Sequence, residues 1–167
     1  MVALVLYLCL IAAGTQVNLF PLRADWPQWR GPHRDGRIAD SPWPASLDET
    51  HLKPIWRATL GPSYSGPIIA GPIVFVTEST NQLTEAVLAF DRSTGKLRWR
   101  QEWEGYVKVP FFAKANGDWI RATPAYADGR LFVAGMRDVL VCFEAETGQE
   151  LWRVDFGTYY RKPCTDL

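Results

Sequence analysis

The sequence predicts an all-β chain built from four-stranded β-propeller blades, and three observations predict it. The stretch Ala89–Arg100 (AFDRSTGKLRWR) returns as Cys142–Arg153 (CFEAETGQELWR), 53 residues on from Ala89 to Cys142, with an aromatic, a carboxylate, a Thr-Gly turn and a Trp-Arg pair at matching offsets. A second repeat lies upstream of the first. Gly66–Thr77 (GPIIAGPIVFVT) has its counterpart 57 residues later in Thr123–Ala134 (TPAYADGRLFVA), with Pro67 matching Pro124 and Phe75 matching Phe132. Both repeats are short β-branched and aromatic runs broken by Gly-Pro or Asp-Gly turns, and a period of about 40–55 residues made of such strands is the signature of a propeller blade.

Taken in order, the chain opens on an export signal over residues 1–24. Val2–Gly14 (VALVLYLCLIAAG) is apolar and uncharged, as long as a signal-peptide core and shorter than the roughly 20 residues of a membrane span. Cleavage after Ala24 is the expectation, with Ala13 or Gly14 as alternatives. No Lys or Arg precedes the apolar run, so an uncleaved anchor reaching Phe20 is the competing reading. Leu8 before Cys9 does not fit a lipoprotein signal. Residues 25–53 read as an extended Trp- and Pro-rich arm, because Pro27 and Pro32 each remove a backbone donor and restrict the preceding residue. Trp26 and Trp29 would anchor the arm by burying their rings.

Residues 54–60 (PIWRATL) carry the Trp-Arg signature of a fourth strand with no first three before it. They are expected to complete the last blade of a larger closed propeller, sealing an edge that otherwise invites aggregation. The first blade is assigned to residues 61–101, an aromatic interblade loop to 102–120, and the second blade to 121–156. Glu78–Ala86 is read as a longer loop than Gly135–Asp138, which would account for the unequal spacings, and 157–167 as a truncated tail. Two blades cannot enclose a channel, since propellers have about four to eight. The chain is therefore expected to be an amino-terminal piece of a longer protein.

The repeated stretch resembles the tryptophan motif of quinoprotein-type (PQQ-binding-like) β-propellers, A-x-D-x-x-x-G-K/E-x-x-W. Ala89, Asp91, Gly95, Lys96 and Trp99 fit every fixed position; the second copy keeps Gly148 and Trp152 but has Cys142, Glu144 and Gln149, and the lone strand keeps Trp56. The arm's Asp25–Pro32 (DWPQWRGP), with Arg34-Asp35-Gly36, is similar to the mature start of exported proteins of this kind. The resemblance implies a propeller of about eight blades. It also implies that the Trp stacks between blades over the small residue opening the motif while the carboxylate ties the turn. The dehydrogenases of the family bind PQQ and Ca²⁺ on the channel axis and carry a vicinal Cys pair. This sequence has no adjacent cysteines, no haem-attachment motif and no dense acidic loop.

Composition narrows the function further. The formal net charge is zero, from 18 basic and 18 acidic side chains, and no like-charge run occurs, which argues against a nucleic-acid partner. Loss of residues 1–24 removes Arg23 and leaves 17 basic against 18 acidic groups. Cys142, in an apolar strand, reads as a small buried hydrophobe, and Cys164 lies in the tail. His33 and His51 stand in irregular segments without metal-ligand spacing. Asp91 and Glu144 look like an acid/base pair, yet their equal places in two repeats point to a shared turn role; catalysis needs two carboxylates in different environments. Trp103, Tyr106, Phe111, Phe112 and Trp119 form the candidate ligand or partner loop, although interblade packing is the favoured reading of these aromatics.

No catalytic, cofactor or metal residue is assigned. The leading expectation is an exported, extracytoplasmic (periplasmic or secreted) propeller protein with a binding or scaffolding role toward a protein or carbohydrate ligand through its blade loops, with no membrane span once the signal is cleaved. The alternatives are the amino-terminal part of a PQQ- and Ca²⁺-dependent alcohol or sugar dehydrogenase, and a carbohydrate-binding propeller using exposed Trp as sugar platforms.

Overall fold

In the computed structural model, residues 25–38, 44–81, 83–105, 110–112 and 117–160 are described. The export signal, Trp43, Tyr106 and Cys164 lie outside them. Eight antiparallel strands form two four-stranded sheets in plain meander order. The first contains β1 (Ile68–Ala70), β2 (Ile73–Thr80), β3 (Thr84–Asp91) and β4 (Leu97–Glu104). The second contains β5 (Ala125–Ala127), β6 (Arg130–Ala134), β7 (Val139–Glu144) and β8 (Glu150–Asp155), followed by a short helix α1 (Phe156–Tyr160). These are two propeller blades.

The turns follow from the residues. Asp128 and Gly129 both take positive φ, 49° and 77°, which lets a tight hairpin match the twist of β5 and β6. β3 is buried along nearly its whole length, so its two faces serve two different neighbours. Val87 and Ala89 join Ile68, Phe75, Leu131, Val133, Val141 and Phe143 in the core between the blades. Ala86, Leu88 and Phe90 face the other way, where Trp56 and Val76 pack on them.

Residues 54–60 pair with no strand among the described residues, and Trp56 docks there on the first blade. Two expectations are corrected here. Glu78–Ala86 is not a loop, because β2 and β3 pair through Thr80↔Thr84 and leave only a short turn. The unequal repeat spacing comes instead from longer strands, eight residues in β2 and β3 against five in β6 and six in β7. Trp103 belongs to β4 rather than to the interblade loop. Alternation along β4 places it on the face of Trp99, where its indole is buried beside Phe143.

Candidate functional site

The repeated motif builds a fastener between blades. β3 and β4 shift register between Ala89 and Phe90, where Ala89 pairs with Trp99 and Phe90 with Leu97. β7 and β8 shift at the equivalent place, Cys142 pairing with Trp152 and Phe143 with Glu150. Each shift leaves one extra residue in the fourth strand, Arg98 or Leu151, and such a bulge turns the neighbouring side chain. Trp99 is thereby carried across to the second blade. Its Nε1 donates to the Ala145 carbonyl at 3.0 Å, and its ring lies on Gly148, where a Cβ would sit 2.5 Å from the indole. Trp56 repeats the arrangement on the first blade, with Nε1 donating to the Arg92 carbonyl at 2.8 Å and Gly95 beneath the ring, where a Cβ would sit 2.6 Å from the indole.

Gly95 and Gly148 therefore meet two demands at once: positive φ (70° and 75°) and no side chain under the indole. The small residues opening the motif, Ala89 and Cys142, lie beside the Trp of their own sheet as cross-strand neighbours and are fully buried. Trp152 sits at the same motif position but is 39% exposed, touching Phe132 of its own sheet.

The carboxylates hold the turns into which the indoles dock. Asp91 Oδ1 accepts from the amides of Ser93 and Thr94 at 3.1 and 3.0 Å and from both hydroxyls. Hydrogen bonds from Ser93, then Arg98 and Thr94, hold its carboxyl well below the usual range. Glu144 Oε2 accepts from the Thr147 amide at 3.1 Å and from the Thr147 hydroxyl. Arg98, the bulge residue, bridges Asp91 at 3.0 Å and Glu146 of the second blade at 2.8 Å. Lys96 is exposed; its carbonyl accepts from the Asp91 amide, and its own amide donates to Thr94 Oγ1.

A second tie, which the sequence reading missed, lies where the β2–β3 and β6–β7 connections meet. Glu85 is buried on β3, and its carboxylate accepts from Trp103 Nε1 at 2.9 Å and from the Met136 amide of the second blade at 3.0 Å. Burial pushes its pKa upward against the lowering effect of those two bonds. Gly105 and Gly135 close on it so tightly that a Cβ would fall 2.1 and 2.4 Å from Glu85 atoms. Only the period-two alternation of β3, which turns Glu85 toward Trp103 of β4, hinted at this pairing.

The aromatic residues assigned to one loop separate into different places. Trp103 is in the core. Trp119 is packed locally: Gly117 approaches its ring and Tyr64 lies tilted against it with centroids 5.1 Å apart, with Arg121 over Tyr64 at 4.9 Å. Phe111 and Phe112 form an edge-to-face pair that is 84% and 74% exposed. Tyr106 lies outside the described residues.

His51 Nδ1 lies 2.9 Å from Asp48 Oδ1, but the Ser46 hydroxyl turns to Asp48 Oδ2 at 2.6 Å instead of to the far ring nitrogen. The trio is an exposed turn cap on the Thr50 amide, with none of the relay geometry of a hydrolase. Among the described residues no cluster of three or more His, Cys, Asp or Glu is placed to hold a metal, and no helix is long and apolar enough to cross a membrane.

Two stacked four-stranded blades, joined by an indole resting on a turn glycine, define a propeller repeat protein of quinoprotein type. The sequence matches the family described as outer membrane protein assembly factor BamB over residues 45–116 and 84–164, and the chain belongs to that family. Outer membrane protein assembly factor BamB of Shewanella oneidensis is 35% identical over 69 residues, 41% of this chain and 18% of the relative. Quinohemoprotein alcohol dehydrogenase from Comamonas testosteroni superposes with a TM-score of 0.51 at 19% identity, covering 80% of this chain and 19% of the enzyme, a likeness of fold alone. The chain thus spans about a fifth of the length of either.

Proposed function

We propose that this chain contributes two blades of an exported, extracytoplasmic scaffold for other proteins, without catalysis in these blades. The observation carrying this reading is the use of the repeat motif. Trp56, Trp99, Gly95, Gly148, Asp91 and Glu144 are each engaged in fastening blades or holding turns, which leaves none of them to act on a substrate. Membership of a family described by outer-membrane assembly supports a protein partner. The exposed pair Phe111–Phe112 is the surface on which it would rest, since unshielded aromatics on a connection are the residues an interface covers.

In this reading residues 1–24 are the export signal, 25–53 the arm, and 61–101 and 121–156 the two blade regions. Residues 54–60 serve as the fourth strand of a further blade: Trp56 docks on Gly95 as Trp99 docks on Gly148.

The test is a photo-crosslinking amino acid at position 111 or 112 of the exported protein in cells. A discrete adduct with an outer-membrane assembly protein is expected. Absence of any adduct, together with dye reduction when PQQ, Ca²⁺ and an alcohol or sugar are added, would transfer the assignment to a quinoprotein dehydrogenase. The carbohydrate reading is less favoured, because Trp119 already carries Tyr64 on its ring.

A further inference from the structure

We infer that the arm, rather than a bound cofactor, forms the axial wall of these two blades. β1 and β5 are the inner strands, three residues each, at which the two sheets converge while β4 and β8 lie apart. In so short a strand only the middle residue aims its backbone groups away from the sheet. In β1 that residue is Ile69, and both its groups are taken by the arm: Trp26 N–H donates to the Ile69 carbonyl and Ile69 N–H donates to the Trp26 carbonyl, each at 2.9 Å. In β5 it is Tyr126, whose N–H donates to the Pro27 carbonyl at 2.8 Å. The two arm residues thus act as one extra inner strand shared by both blades.

The arm is braced to stay there. Asp25 accepts from the Gly71 amide at 2.9 Å. The Trp26 ring lies under Gly31, where a Cβ would fall 2.7 Å from it, so the chain beyond folds back over the indole. Gln28 clamps that return, donating to the Pro32 carbonyl at 3.0 Å and accepting from Arg34 Nε at 3.0 Å. Arg30 and Arg34 hold positive φ, 61° and 58°, a conformation that bulky residues keep only where surrounding bonds impose it.

A planar quinone with Ca²⁺ on the axis would need polar inner walls. The inner strands offer Ile68, Ile69, Ala70, Ala125, Tyr126 and Ala127, without a carboxylate, and the arm covers their open edge. Asp25 of the arm is taken by the Gly71 amide, so the inner strands and arm of these two blades do not fit that pair, and no chemistry is routed through it.

Amide hydrogen exchange on the full-length protein tests the assignment. Ile69 and Tyr126 should be protected without any ligand, and PQQ with Ca²⁺ should leave their rates unchanged. The variant Gly31→Val, which drives a side chain into Trp26, should speed exchange at both by at least about tenfold while Val87 and Val141 of the blade interior stay slow. Unprotected Ile69 and Tyr126 in the parent protein, or slower exchange there on adding PQQ and Ca²⁺, would overturn the inference. If Gly31→Val unfolds the blades as well, the parent measurements alone decide. A partner-free scaffold would leave every one of these results intact, so the outcome is separate from the proposed function.

Discussion

Glu85 and Asp91 stand near opposite ends of β3, and their environments drive their acidities in opposite directions. Burial raises Glu85 above the ordinary value of 4.5, whereas hydrogen bonds from Ser93, Arg98 and Thr94 depress Asp91. A raised folded-state pKa contributes stability that is full below the unfolded value and is lost as pH rises through the folded one; a depressed pKa contributes above the unfolded value and is lost as pH falls through the folded one. Glu85→Gln keeps an acceptor for the Met136 amide and carries no charge. Its stability is therefore expected to decline less than the parent's as pH rises from acid to neutral, measured as urea midpoints across that range. A parallel decline would show that Glu85 does not titrate in the fold. Asp91→Asn should instead remove part of the loss that accompanies acidification below the ordinary aspartate range. A second pair of substitutions isolates close approach from backbone strain. Gly129 and Gly148 share φ values near 77° and 75°, but a Cβ on Gly129 meets open space and one on Gly148 meets the Trp99 indole at 2.5 Å. Gly129→Ala is expected to cost about 1 kcal/mol, and Gly148→Ala about 1–3 kcal/mol more. Equal urea midpoints for the two would deny the docking of Trp99 on Gly148.

Among the elements, the fourth strands separate docked from undocked indoles. Trp99→Phe leaves the Ala145 carbonyl without its donor and shrinks the ring over Gly148, an expected loss of about 1–3 kcal/mol. Trp152→Phe changes an indole that has no hydrogen bond from Nε1 among the described residues, so it should cost within about 0.5 kcal/mol in this chain. The sequence made the blades legible because each strand signals itself locally, through β-branched runs, Asp-Gly and Thr-Gly turns, and the Trp-Arg close. It showed less where the deciding partner is distant. Residues 54–60 have strand composition but pair with no strand among the described residues, and strand character is completed by the neighbour. Trp103 looked like a loop aromatic because β4 continues past its signature pair, and only Glu85, Phe143 and the inner face of the second blade hold it in. The Glu85–Met136 tie spans 51 residues between side chain and backbone amide, and no residue-type pattern encodes a backbone amide's position.

For the molecule as a whole, the fasteners have a direction. Trp56 docks on the first blade and Trp99 from the first onto the second, while Trp152, at the same motif position in the second, is 39% exposed. The face carrying Val74, Val76 and Phe90 forms with Trp56 and Leu60 an apolar groove of about 350 Å³, open on the side away from the second blade. Trp56 already occupies the turn at Gly95, so a second copy of this chain cannot seat its own Trp152 there without expelling it. In the proposed reading the groove is filled by a sheet that takes 54–60 as its fourth strand, and Trp152 rests on a turn bearing its own glycine. Repeat units gain stability from such interfaces as well as from within. Trp152→Phe should then change from nearly silent in this chain to about as costly as Trp99→Phe in a protein spanning the length of its relatives. The measurement is the urea midpoint of both variants in both lengths. If Trp152→Phe remains silent in the longer protein, the succession of docked indoles stops at the second blade.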